Sequence, residues 1–301
     1  MGKSDKIFDR WNTEMKSTWS FQVFNKYNDE LNNMLWAAQA AKTLAYKTLG
    51  DNKAQWPDKA STYLEFTVPK GDEVFHDLKG WSDSFNQFYK WTNLNGLLAI
   101  SANFETYIAT VTSLAIESDP GVLFQSTKSI DGVDILKRGG QKYMFVDEII
   151  TSVTKGDWNA RSSAFKKTFG VIPTLLEANK GELDKIRVLR NNVGHAFGRD
   201  IDESRNHEVK KIVQMENLSD ATFKRYQKII WSTAKAIDVY LLRNHIGEYQ
   251  AIAFYHRIYE GLNKMVHPSI RAVELKKKLG AFGDTSGKEF CKGLVGYYEE
   301  K

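Results

Sequence analysis

One cysteine in 301 residues, Cys291, is the first constraint this chain sets. A lone thiol closes no intrachain disulfide and builds no cysteine-based zinc site, as expected of a reducing, cytoplasmic setting. Proline is scarce too, at five residues, which leaves long stretches free to be helical. No run reaches the roughly 20 apolar residues needed to cross a bilayer. The opening Met1-Gly2-Lys3-Ser4-Asp5-Lys6 lacks an apolar signal core and, with Lys6, a myristoylation signal, so we expect a soluble chain without a membrane anchor. Neither sign of charge dominates. Forty-two Lys and Arg against 37 Asp and Glu leave +5, a weak lean towards polyanionic partners. Gly-x-Ser-x-Gly, His-Glu-x-x-His and Rossmann glycine patterns are absent.

What the chain does have is apolar material: 42% hydrophobic and 13% aromatic residues suffice for a packed core. Spacings of three and four predict an all-α fold. Helices are expected from about Phe8 to Gly50, Ser82 to Ile116, Tyr143 to Val153, Asn159 to Phe169, Pro173 to Asn179 and Glu182 to about Asn192. Further helices follow from Ser219-Asp220 towards Gly247, Glu248 to Met265, Pro268 to Gly280 and Lys288 to Tyr298. Residues 51–80 are rich in turn signals and hold a short irregular or β-like run, Tyr63-Leu64-Glu65-Phe66-Thr67-Val68. Residues 121–143 read as a loop. The eight tryptophans read as core. Lys137-Arg138, Arg161 with Lys166-Lys167, Lys210-Lys211 and Lys276-Lys277-Lys278 read as solvated basic faces.

One segment carries chemistry. Leu189-Arg190-Asn191-Asn192-Val193-Gly194-His195 sets a guanidinium, which grips phosphate through two hydrogen bonds, near an imidazole, which moves protons around neutral pH. On a helix, Leu183, Ile186, Leu189 and Val193 form an apolar stripe with Arg190 beside it, and Asn191 stacks four residues from His195. Arg190 and His195 diverge by roughly 140° on a regular helix, so they converge only if the backbone departs around Asn191–Gly194. Gly194 makes such a departure plausible.

The segment resembles the signature of the HEPN superfamily (higher eukaryotes and prokaryotes nucleotide-binding domain): Arg, four to six residues, then His, often with Asn, Asp or His directly after the Arg. Asn103-Phe104-Glu105-Thr106-Tyr107 is similar to the Phe-Glu-x-Tyr part of the first long helix in several HEPN groups. The likeness covers roughly residues 82–246. It implies a helical bundle of HEPN type at 80–246, an N-terminal extension at 1–79 and a C-terminal one at 247–301. It further implies a metal-independent, cofactor-free endoribonuclease acting as a homodimer on RNA, such as tRNA or mRNA. Arg190 and His195 would be catalytic, Asn191 would support them, and Glu105 would orient one of them. Such proteins are often toxins or effectors of phage defence, restrained by an antitoxin or regulatory protein. Phe197 stands where toxins silenced by a partner nucleotidyltransferase carry a tyrosine, so that route of control is not expected. The alternative is a non-catalytic HEPN-like module for nucleotide or RNA binding or dimerisation.

Two further patterns are read as bland. His245, His256 and His267 recur every eleven residues without clustered carboxylates and are taken as structural or surface groups. Gly283-Asp284-Thr285-Ser286-Gly287-Lys288-Glu289 is one residue short of a phosphate loop and is rejected as a nucleotide site.

Overall fold

Long proline-poor stretches become long helices. A computed structural model describes residues 8–67, 70–140, 146–207, 210 and 212–301. Its helices are α1 (Trp19–Asp51), α2 (Gly71–Val74), α3 (Leu78–Ser118), α4 (Gly132–Lys137), α5 (Asp147–Thr154), α6 (Trp158–Phe169), α7 (Thr174–Ala196), α8 (Ile201–Arg205), α9 (Asp220–Leu241), α10 (Tyr249–Tyr259), α11 (Pro268–Phe282) and α12 (Lys288–Glu300). The fold is all-α: 73% of the chain is helical, and the described residues contain no strand. No helix among them is long and apolar enough to cross a membrane. Met1–Lys6, Val68, the expected helix start at Tyr143 and Lys211 lie outside the described residues.

The helix ends follow capping chemistry. Asp131 and Asp157 cap α4 and α6 by accepting from the Val133 and Ala160 amides, and Pro268 opens α11. Three expectations need correction, and of the two readings of the run that starts at Tyr63, irregular or β-like, the irregular one holds. The β-like run makes no strand: Leu64–Thr67 carry no regular structure and pair with no other segment among the described residues, because an alternating pattern without a partner satisfies no backbone groups. The loop expected over 121–143 contains a 3-10 turn, Pro120–Phe124, and the capped α4. The two helices expected either side of Gly181 are one, α7, since burial of Leu176, Leu183 and Ile186 outweighs the roughly 1 kcal/mol that a mid-helix glycine costs. Of the eight tryptophans, only Trp158 is fully buried.

The chain divides into two compact units, 1–23 with 105–180 and 232–301, and 24–104 with 181–231. The first unit is organised around buried charge. Arg10 is 1% exposed, and its Nε and Nη2 donate to Asp131 Oδ1 at 3.0 and 2.8 Å. Its Nη1 donates to the Ser118 hydroxyl at 2.6 Å and to the Ile246 carbonyl at 3.1 Å. The Tyr297 hydroxyl donates to the other Asp131 oxygen. Gly247 closes the knot at φ 55°: a Cβ there would sit 2.1 Å from the Arg10 carbonyl, so only glycine fits. Elsewhere in this unit Asp238, wholly buried, accepts from the Thr18 hydroxyl at 2.5 Å and the Tyr107 hydroxyl at 3.2 Å. Burial pushes the Asp238 carboxyl up, against those hydrogen bonds and Lys235.

Cys291 is buried in α12, where desolvation pushes its thiol up to about 11. A thiol held neutral and covered is a poor nucleophile. We therefore predict that an aqueous thiol reagent leaves the native protein unmodified at neutral pH and titrates one thiol once it is denatured. Native labelling at the denatured rate would contradict this packing.

In the second unit the described part of residues 24–104 and 181–231 packs aromatic and aliphatic faces. Phe24 meets Phe104 with ring centroids 6.3 Å apart, Asn103 donates to Asn28 at 3.0 Å, and Leu49, Ala60 and Leu78 form a buried cluster.

Candidate nuclease motif on helix α7

Within the second unit, Leu183, Ile186 and Val193 of α7 are buried, at 1%, 3% and 9% exposure, as the apolar stripe predicts. On the neighbouring face Arg187 Nε donates to Asp184 Oδ1 at 2.8 Å. Arg190 is half-buried beside the stripe, and its Nη1 donates to the Asn191 side-chain oxygen at 3.1 Å. His195 is exposed in the last turn of α7.

The backbone departure expected at Asn191–Gly194 does not occur. α7 stays helical through Gly194 and His195 to Ala196 and turns only at Phe197 and Gly198, whose φ values are 55° and 76°. The Gly198 amide reaches back to the Asn192 carbonyl at 3.0 Å, and its own carbonyl accepts from the Glu216 amide at 2.7 Å, so two hydrogen bonds fix the turn. With the helix unbroken, the Arg190 and His195 side chains leave the axis roughly 140° apart. One copy of α7 does not converge them on one atom. What brings Arg190 and Asn191 together is sequence adjacency and a charge-assisted hydrogen bond.

Glu105 belongs to the first unit, where its carboxylate accepts from Arg161 Nη2 at 3.1 Å. Arg161, 5% exposed and also donating to the Gly156 carbonyl at 3.0 Å, is a buried anchor, which corrects its reading as part of a solvated face. Lys166, Lys167 and Lys276–Lys278 are exposed, as expected. Tyr107, from the same Phe-Glu-x-Tyr segment, is a buried structural group.

The three spaced histidines do not align. His245 is 2% exposed in a π-turn, Leu242–Ile246, with Nδ1 2.9 Å from Asp119. His256 lies in α10 with Nδ1 2.6 Å from the Tyr298 hydroxyl, and burial holds its imidazole below the ordinary range. The His267 side chain caps α11. No group of three or more His, Cys, Asp or Glu side chains suited to a metal ion is present among the described residues. Gly283–Gly287 links α11 to α12.

Comparison with known proteins gives little. No family model matches the chain. Over 194 residues it is 22% identical to reticulocyte-binding protein 2 of Plasmodium vivax (strain Belem), which covers 64% of this chain. The chain spans 7% of the length of that relative. No solved structure matches.

Proposed function

We propose that this chain is a metal-independent endoribonuclease of the HEPN kind, cutting RNA in the cytoplasm with Arg190 and His195. The observation that carries the reading is the pairing of a guanidinium steadied by Asn191, at 3.1 Å, with an exposed imidazole five residues on in the last turn of α7.

The chemistry follows from those groups. An imidazole takes the proton from a ribose 2′-hydroxyl, the freed oxygen attacks phosphorus, and the 5′-oxygen leaves with a proton. Arg190 meets the charge developing on the non-bridging phosphoryl oxygens. Products carry a 2′,3′-cyclic phosphate and a 5′-hydroxyl. The divergence of the two side chains on an unbroken helix favours a site shared by two copies, Arg190 of one facing His195 of the other across a two-fold axis. Glu105, whose carboxylate accepts from Arg161, keeps the supporting role that the family resemblance implies, orienting Arg190 or His195. A toxin or phage-defence role, under control of an antitoxin or regulatory protein, fits an RNA-cutting activity that a cell must restrain.

End-group analysis tests the chemistry. Fragments released in excess EDTA should accept phosphate at their 5′ ends from polynucleotide kinase without prior dephosphorylation. Fragments bearing 5′-phosphates would point to a different mechanism and overturn the assignment.

A further inference from the structure

Directly after α7 ends at Ala196, an aromatic side chain, Phe197, sits in the turn. Phe197 has φ 55°, the left-handed region that glycine adopts freely and residues with a Cβ adopt at a cost. It is nevertheless 56% exposed, so burial of its ring does not account for the strain. A left-handed residue is a common way to end a helix, and here it sets an exposed aromatic ring in a turn fixed by two backbone hydrogen bonds.

The ring has company within the second unit. Trp91 of α3 lies 6.2 Å from Phe197, centroid to centroid, with the planes 32° apart. Phe88, three residues before Trp91 and 48% exposed, lies 6.1 Å from Trp91 with planes 30° apart. The Arg199 guanidinium sits 5.0 Å over the Phe197 ring, and its Nε is anchored to the Val213 carbonyl at 2.8 Å. Three rings in contact, each tilted about 30° to the next, run from Phe88 through Trp91 to Phe197, two residues after His195 in the sequence, and meet the Arg199 cation.

Resting on the nuclease reading above, we propose that Phe88, Trp91 and Phe197 form a stacking platform for the unpaired bases of single-stranded RNA, with Arg199 taking a backbone phosphate. The occupant follows from the chemistry: aromatic faces accept any base, an arginine beside them answers the phosphate charge, and both features stand beside the residues that would cut the strand. A duplex, whose bases are already stacked, gains nothing from the platform.

The test uses the full chain with His195→Ala, so that bound RNA is not cut, and a uridine-rich oligonucleotide offered alone or annealed to its complement. Adding Phe197→Gly should weaken single-strand binding about 5- to 150-fold, the range for losing one stacked base, with duplex binding unchanged. Because glycine suits φ 55°, the thermal midpoint should hold or rise, which separates lost stacking from lost folding. Trp91→Leu should weaken binding by a similar factor. Unchanged single-strand affinity in both variants, or a loss of self-association without a loss of RNA affinity, would overturn the platform. Should the wild type cut RNA while Phe197→Gly binds and cuts like it, the platform fails alone. Should no version cut RNA while Phe197→Gly weakens binding, the platform stands and the nuclease reading falls.

Discussion

Arg10→Met lowers the folding free energy of this protein by about 3–5 kcal/mol, the range for removing one partner of a buried ion pair. The loss exceeds that of an ordinary surface arginine because the guanidinium also fills hydrogen bonds of Ser118 and the Ile246 carbonyl, at 2.6 and 3.1 Å. Methionine keeps most of the volume, so the cost is electrostatic rather than a cavity. Chemical denaturation reads it as a shift in midpoint at constant slope. Asp131→Asn should cost less on top of Arg10→Met than alone, because the two share one interaction.

The same knot gives the sign of an acid dependence. Burial pushes the Asp131 carboxyl up, but the Arg10 charge and the hydrogen bonds from Tyr297, Val133 and Arg10 outweigh it and hold the carboxyl below its ordinary value. A depressed folded value contributes stability that is present above the ordinary carboxylate range near 4. That stability is lost as pH falls through the folded value. In Asp131→Asn the acid limb of stability against pH should therefore be flatter than in the wild type. An equally steep limb would locate the acid sensitivity in other carboxylates.

The second large effect concerns the proposed activity. If the nuclease proposal holds, His195→Ala and Arg190→Ala should each reduce RNA cleavage by about 10²- to 10⁴-fold, the range for removing a positioned proton carrier or a charge-stabilising donor. Both are expected to fold like the wild type, since neither side chain is buried in the core. Mixing the two inactive proteins under conditions of subunit exchange should restore about a quarter of the wild-type activity, because half of the two-fold dimers are mixed and each has one intact site. No recovery on mixing, with exchange demonstrated, would place both groups in one copy.

Much of the helical framework is legible in the sequence. Ser118-Asp119-Pro120-Gly121 stops α3 where a turn signature should, and the stripe on α7 follows three- and four-residue spacing. These are local signals, set by backbone sterics and by which face a helix buries. What escapes is long-range. Nothing near Arg10 marks it as buried, because its partners Ser118, Asp131 and Ile246 lie 108 to 236 residues away. Leu64–Thr67 carry a strand-like alternation, but the described residues provide no second strand to pair with it.

For the candidate site, the sequence names Arg190, Asn191 and His195 as a motif, but the shape of their helix is not legible in it. Gly194 suggests an early break, yet α7 runs on to Ala196. The left-handed turn falls on Phe197, a residue type that gives no such signal. The neighbourhood of Phe197 is likewise invisible locally, since Trp91 comes to it from more than a hundred residues upstream.

The decisive measurement is cleavage of total cellular RNA and of tRNA by the purified wild-type protein in excess EDTA, beside folded Arg190→Ala and His195→Ala proteins. Cutting by the wild type alone, leaving 2′,3′-cyclic phosphate ends, is the predicted result. Cutting by all three, or cutting that EDTA abolishes, would contradict a metal-free ribonuclease at this motif.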